Sequence, residues 1–219
     1  MDAKQAPLAG GEAVLIGLAA LLIVLIPFLW PLVEHLNVMA HEGAHAAAGS
    51  LLGFAPLGVV LTTKATGGTS FPGSMRGLRE ILIGTIGYLG PSVFGLWAAK
   101  LIATGHAIAV LWIAVILLVL LLFLIRKSFG LVSVPAAITA LAIVVHGAQA
   151  QFEEVISYGI SWLLLLSGVR VAVADGRKAT DAAILATITR LPRRVWALTW
   201  LAGTLLAVVI GGKWLVVGS

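Results

Sequence analysis

Val38-Met39-Ala40-His41-Glu42-Gly43-Ala44-His45 is an H-E-x-x-H motif set inside a long apolar segment. On an α-helix, residues four apart share a face, so His41 and His45 can offer two imidazole nitrogens to one zinc ion. Glu42, beside them, can then activate water at the metal. The motif supplies half of a metalloprotease site and leaves a third ligand to be found. The alternative is an accidental match in which both histidines are hydrogen-bonded core residues. Two histidines and a glutamate in mid-segment are costly inside a membrane unless something uses them, which favours the metal reading.

The segment around the motif runs from Leu32 to Phe54. Along it Glu34, Asn37 or Val38, His41, His45 and Ala48 or Gly49 recur at three- and four-residue spacing. That spacing lays a polar stripe on one side of an apolar helix, and the stripe must face the protein interior. At 1.5 Å per residue the motif lies about 12 Å in from either end, so the site is submerged and water needs a path to it. Glu34 and His35 read as interfacial or network residues rather than ligands.

Composition makes the chain a membrane protein. Of 219 residues, 60% are hydrophobic and 11% charged, and the mean hydropathy is +1.09. One soluble core could not hide so much apolar surface, so lipid must cover the rest. With no cysteine there is no disulfide, thiolate ligand or thiol nucleophile, and any zinc must be held by histidine and carboxylate. The net charge of +5 does not point to nucleic acid, because the basic residues flank apolar segments instead of forming an aromatic-interleaved surface. They read as topology signals.

Residues 1–11 are a short leader, followed by an uncleaved first span from Ala13 to Leu29 that lacks a signal-peptide pattern. The motif span is the second. Residues 55–73 are the one β-like stretch: two β-branched runs flank Gly67-Gly68, a hairpin signal with the turn at the glycines. A plain connecting loop is the alternative. Further spans follow at Leu78–Ile102, Ala107–Ile125, Leu131–Gly147, Val155–Val173 and Val195–Val217. In the third, Gly84, Gly87, Gly90 and Pro91 permit close helix contact, as against the motif helix. Residues 174–194 are a polar, basic loop in which Thr180 to Leu185 reads as an N-capped short helix ending at Leu191-Pro192.

The expected fold is therefore an all-α polytopic membrane protein with about seven transmembrane helices and a small hairpin between the second and third, all in one domain spanning residues 1–219. Seven crossings place Lys4, Lys64, Arg76, Arg79, Arg126, Lys127, Arg170, Arg177, Lys178, Arg190, Arg193 and Arg194 on one side, with only Lys100 and Lys213 on the other. The positive-inside rule then predicts a cell-membrane protein with a cytoplasmic N-terminus and an external C-terminus.

A catalytic zinc site wants three protein ligands and an open position. The candidates are Asp175, Asp181, Glu153, Glu154 and His146. The last three fall near the outer face, whereas the motif helix runs inward, which favours the aspartates. Asp181 opens a short helix whose apolar Ile184, Leu185 and Ile188 could dip back toward the bundle; it could also be a plain helix N-cap. Asp175-Gly176 could equally be a turn.

His41-Glu-Gly-Ala-His45, the Gly67-Gly68 hairpin, Gly87-Tyr-Leu-Gly90-Pro91, and Thr180-Asp181-Ala182 followed by Leu191-Pro192 and Trp196 together resemble the M50B-like branch of the site-2-protease family. The resemblance covers residues 38 to 200. It implies an intramembrane zinc metalloprotease with His41 and His45 as ligands, Glu42 as general base, and Asp181 where relatives carry an S-D-A aspartate. There are two departures. The better-known members have an Asn/Pro-rich segment ending in L-D-G, for which Ala174-Asp175-Gly176 is the nearest match, so Asp175 stays a candidate. Arg126-Lys127-Ser128-Phe129-Gly130 resembles an R-N-x-x-G turn with lysine in the asparagine position.

The expected activity is hydrolysis of a peptide bond within or beside a transmembrane segment of a membrane-protein substrate. That segment must unwind locally, because a helix buries its carbonyls in hydrogen bonds. The hairpin's edge strand could receive it by strand addition. A second reading is a catalytically silent membrane scaffold or regulator with a structural zinc site. A metal transporter would need ionisable residues in several spans, whereas nearly all the deep ones lie in one.

Overall fold

The computed structural model describes residues 7–73, 77–175 and 180–218. Eight helices and one hairpin follow each other as α1 (Gly10–Leu25), α2 (Pro31–Leu51), β1 (Gly58–Leu61), β2 (Gly67–Ser70), α3 (Leu78–Ala103), α4 (Ala107–Leu124), α5 (Ser128–Gly147), α6 (Ala150–Asp175), α7 (Thr180–Thr189) and α8 (Arg193–Val217). The mostly helical fold with a small hairpin matches the sequence expectation. Five of the helices, α3, α4, α5, α6 and α8, are long and apolar enough to cross a membrane, and the protein is an integral membrane protein.

The bundle is built around α6, against which α1, α3, α4 and α8 pack. Small residues let these helices approach closely. A methyl on Gly95 would run into Leu165 and the Ser161 carbonyl, one on Gly168 into Ser92, and one on Gly211 into Leu165. Serine hydroxyls bond across the same seams: Ser161 donates to the Gly95 carbonyl (2.9 Å) and Ser157 to the Ala107 carbonyl (2.9 Å). Lipid is as apolar as leucine, so such packing and hydrogen bonding hold membrane helices together.

Contacts along the bundle fix the direction of each helix. At one end the start of α1 lies against the end of α8, where a methyl on Gly10 would meet the Val216 carbonyl at 2.8 Å. Lys100, near the end of α3, stacks over Trp214 at this same end. The hairpin, α7 and the end of α2 occupy the opposite end, called here the site end. The expected count of seven spans is not confirmed: among the described residues five helices have the length and hydropathy of a span. The two that fall short are α1 and α2. α1 is 16 residues long, or about 24 Å, and runs parallel to α6: Trp162 Nε1 donates to the Ala13 carbonyl (3.1 Å), and Arg170 reaches the Val24 carbonyl. α2 follows, with Asn37 level with Ser167 and His45 at the site end.

The hairpin also departs from expectation in its turn. Val59 pairs with Thr69 and Leu61 with Gly67, so the loop is Thr62–Thr66 and both glycines lie inside β2. The turn is closed by Thr62 and Thr66, whose hydroxyls are 2.7 Å apart, with Ala65 at a φ of 49°. Val59 and Leu61 point inward onto Met39, Leu118, Leu121 and Val134. The outer edge of β1 is taken by the chain after α4: Arg126 N donates to the Val59 carbonyl (2.9 Å) and its Nε to the Leu57 carbonyl (3.0 Å). Only the outer edge of β2 remains free among the described residues.

Candidate metal centre

On α2 the four-residue spacing brings the two histidine side chains together, with their Nε2 atoms 3.0 Å apart. Asp181, on α7, completes a triangle: its Oδ2 lies 3.7 Å from each Nε2. Ligands held about 2.05 Å from a zinc ion at the tetrahedral angle are about 3.4 Å from one another. The edges of this triangle bracket that value, and two imidazoles with one carboxylate are a donor set suited to zinc. The residues therefore fit the ion.

Each corner is held from behind. His41 meets the Tyr88 ring edge-on, with centroids 5.0 Å apart, and Tyr88 stacks flat on Trp200 at 3.8 Å. The ring of His45 lies directly over Gly87. Asp181 is placed by the apolar face of α7, where Ala182 and Leu185 bury against Tyr88, Ala172 and Trp200. Ile184, by contrast, is half exposed. Trp196 Nε1 ties the end of α7 to α8 by donating to Thr189 Oγ1 (3.1 Å). Burial alone would raise the Asp181 carboxyl, but the imidazoles of His41 and His45, each 3.7 Å away, outweigh it and hold the group well below the usual carboxylate range. Asp181 is thus ionised at neutral pH, the state in which a carboxylate can bind a metal.

Glu42 is 4% exposed and its carboxylate lies against β2. Thr69 Oγ1 donates to its Oε2 (2.7 Å) and lies 3.2 Å from its backbone carbonyl. A methyl on Gly67 would sit 2.6 Å from Glu42 Oε1. That contact, and not a turn, is why glycine stands there. Asn37 lies one turn before His41 and accepts a hydrogen bond from Ser167 (2.9 Å), which joins α2 to α6. These residues open into a cavity of about 520 Å³ lined on its far wall by Ile83, Val171, Ile184 and Leu185.

Of the sequence candidates, His41, His45 and Asp181 come together, with Glu42 beside them. Glu153, Glu154 and His146 lie at the opposite end of the bundle, where Glu154 neighbours Leu8 and Glu12. Asp175 is the last residue of α6; its side chain, the Gly176 turn and the Thr180 cap lie outside the described residues. Glu34 lines the cavity, whereas His35 packs on Phe129. Sequence reading missed Thr69, Ser167 and Trp200, which reach the site only through contacts between distant segments. It also missed the role of Arg126 in closing the edge of β1.

The model of the Peptidase M50B-like family matches residues 14–211. The chain belongs to this family. No curated protein and no solved structure matches it. Members of M50 are zinc metalloproteases, and the His41, His45 and Asp181 group is the place in this M50B-like chain where described side chains could hold the ion.

The glycine under His45 gives a direct test of how the M50B-like site is held. Gly87→Ala drives a methyl into the His45 ring, so zinc affinity should fall about 10- to 100-fold, the cost typical of disturbing a ligand's support. Gly43→Ala is the control, since a methyl there meets nothing within 4 Å. Zinc titration of the purified variants checks both, and equal affinities would show that Gly87 does not position His45.

Proposed function

We infer that this chain is an intramembrane zinc endopeptidase that cuts a peptide bond within or beside a transmembrane segment of a membrane protein. The observation that carries the reading is the His41, His45 and Asp181 triangle with a buried carboxylate, Glu42, beside it under a free strand edge. When bound, zinc supplies Lewis acidity that polarises a peptide carbonyl and acidifies water. Glu42 takes the proton of the attacking water and returns it to the leaving amine. Tyr88, Gly87 and the apolar face of α7 keep the three ligands in register.

The free edge of β2 supports an unwound substrate. The Val59 carbonyl turns away from β2 to accept from Arg126. In an antiparallel ladder, residues opposed in a non-bonded pair both turn N–H and C=O outward. Thr69, opposite Val59, and Gly67, opposite Leu61, therefore offer theirs to a strand laid along the cavity. Such pairing would satisfy the carbonyls and amides that a substrate frees when its helix unwinds.

Orientation follows from charge. Lys64, Arg79, Arg126, Lys127, Arg190, Arg193 and Arg194 flank elements at the site end, against Lys100 and Lys213 at the other; Lys4, Arg76, Arg177 and Lys178 lie outside the described residues. The positive-inside rule then sets the site end on the cytoplasmic side of the cell membrane, with the start of α1 and the end of α8 outside.

The test is cleavage of a reconstituted membrane substrate. Chelation should abolish it and zinc should restore it, because a three-ligand site binds reversibly and loses its Lewis acid with the ion. Cleavage that persists in fully metal-free protein would sink the zinc mechanism. Robust zinc binding with no cleavage of any membrane segment would favour the silent scaffold.

A further inference from the structure

Glu42 is held from β2, not from its own helix. Its Oε2 accepts the Thr69 hydroxyl at 2.7 Å, and Gly67, two residues earlier on the same inward face, leaves room for the rest of the carboxylate. A carboxylate on a helix has several rotamers, and only one points at a given reacting atom. We propose that Thr69 is a positioning residue that fixes the Glu42 carboxylate for proton transfer, and that substrate pairing along β2 tightens this hold. The inference rests on the protease reading above.

The geometry links the two roles of the strand. The side chain of Thr69 faces Glu42, while its backbone N–H and C=O face the free edge. A substrate strand bonded to that backbone restrains Thr69, and Thr69 restrains the base. Base positioning therefore depends on an occupied edge, so that a segment bound without pairing to β2 meets a less ordered Glu42. Thr69 itself touches neither the ligand triangle nor the reacting bond. Its loss should act on turnover and leave both zinc and substrate affinity in place, because the edge is backbone.

Four proteins separate the possibilities: wild type, Glu42→Gln, Thr69→Val and Thr69→Ser, each reconstituted with the same membrane substrate and each measured for zinc. Valine keeps the branched shape and removes the hydroxyl; serine keeps the hydroxyl. Thr69→Val should lower kcat about 10- to 100-fold, the range for losing a hydrogen bond to a charged group, with KM and zinc content unchanged. Thr69→Ser should restore most of kcat. Wild-type kcat in Thr69→Val, a loss that serine does not rescue, or a loss confined to KM would overturn the inference and leave the protease reading standing. Zinc loss in Thr69→Val would overturn it too, since Thr69 would then support the metal. Absence of cleavage by wild type, or full cleavage by Glu42→Gln, would remove the protease reading and this inference with it.

Discussion

Asp181→Ala protein should purify without zinc, while Asp175→Ala should retain about one ion per chain, as a closed set of three ligands requires. The expectation comes from the triangle: Asp181 Oδ2 stands 3.7 Å from each imidazole nitrogen, and two histidines alone leave zinc with half a tetrahedron. Disturbing an outer partner of a ligand costs about 10- to 100-fold in affinity, and losing the ligand itself should cost more. Metal analysis after dialysis is the measurement. Zinc kept by Asp181→Ala and lost by Asp175→Ala would move the third ligand to the end of α6.

That this distinction needs the structure at all has a physical cause. The histidine pair was legible because its geometry is local: four residues on a helix bring two side chains to one face whatever surrounds them. The short helix at Thr180 was legible for the same reason, by its apolar face and its stop at Leu191-Pro192. Bringing Asp181 beside the histidines depends instead on how α7 docks, and that is set by Ala182 and Leu185 meeting Tyr88 and Trp200 from distant parts of the chain. The hairpin shows how a local signal misleads. Gly67-Gly68 has the composition of a turn, yet glycine stands at 67 because Glu42 occupies the space its side chain would fill. Charge counting likewise took each apolar run as one crossing, and nothing local could reveal that α1 runs parallel to α6 or that Gly10 meets Val216.

Glu42→Gln should keep its zinc and lose cleavage by about 10²- to 10⁴-fold, the contribution typical of a positioned general base. Glutamine has nearly the same shape, and its amide oxygen can still accept the Thr69 hydroxyl, so the packing beneath Gly67 should survive. What disappears is the ability to take up a proton and give it back. Because Glu42 is not one corner of the ligand triangle, zinc content should match wild type, in contrast to Asp181→Ala, which should lose ion and activity together. The pair of variants thus separates holding the metal from moving the proton. A Glu42→Gln protein that cuts a reconstituted membrane substrate at the wild-type rate would show that the proton leaves by another route, and Glu42 would then serve only to pack α2 against β2.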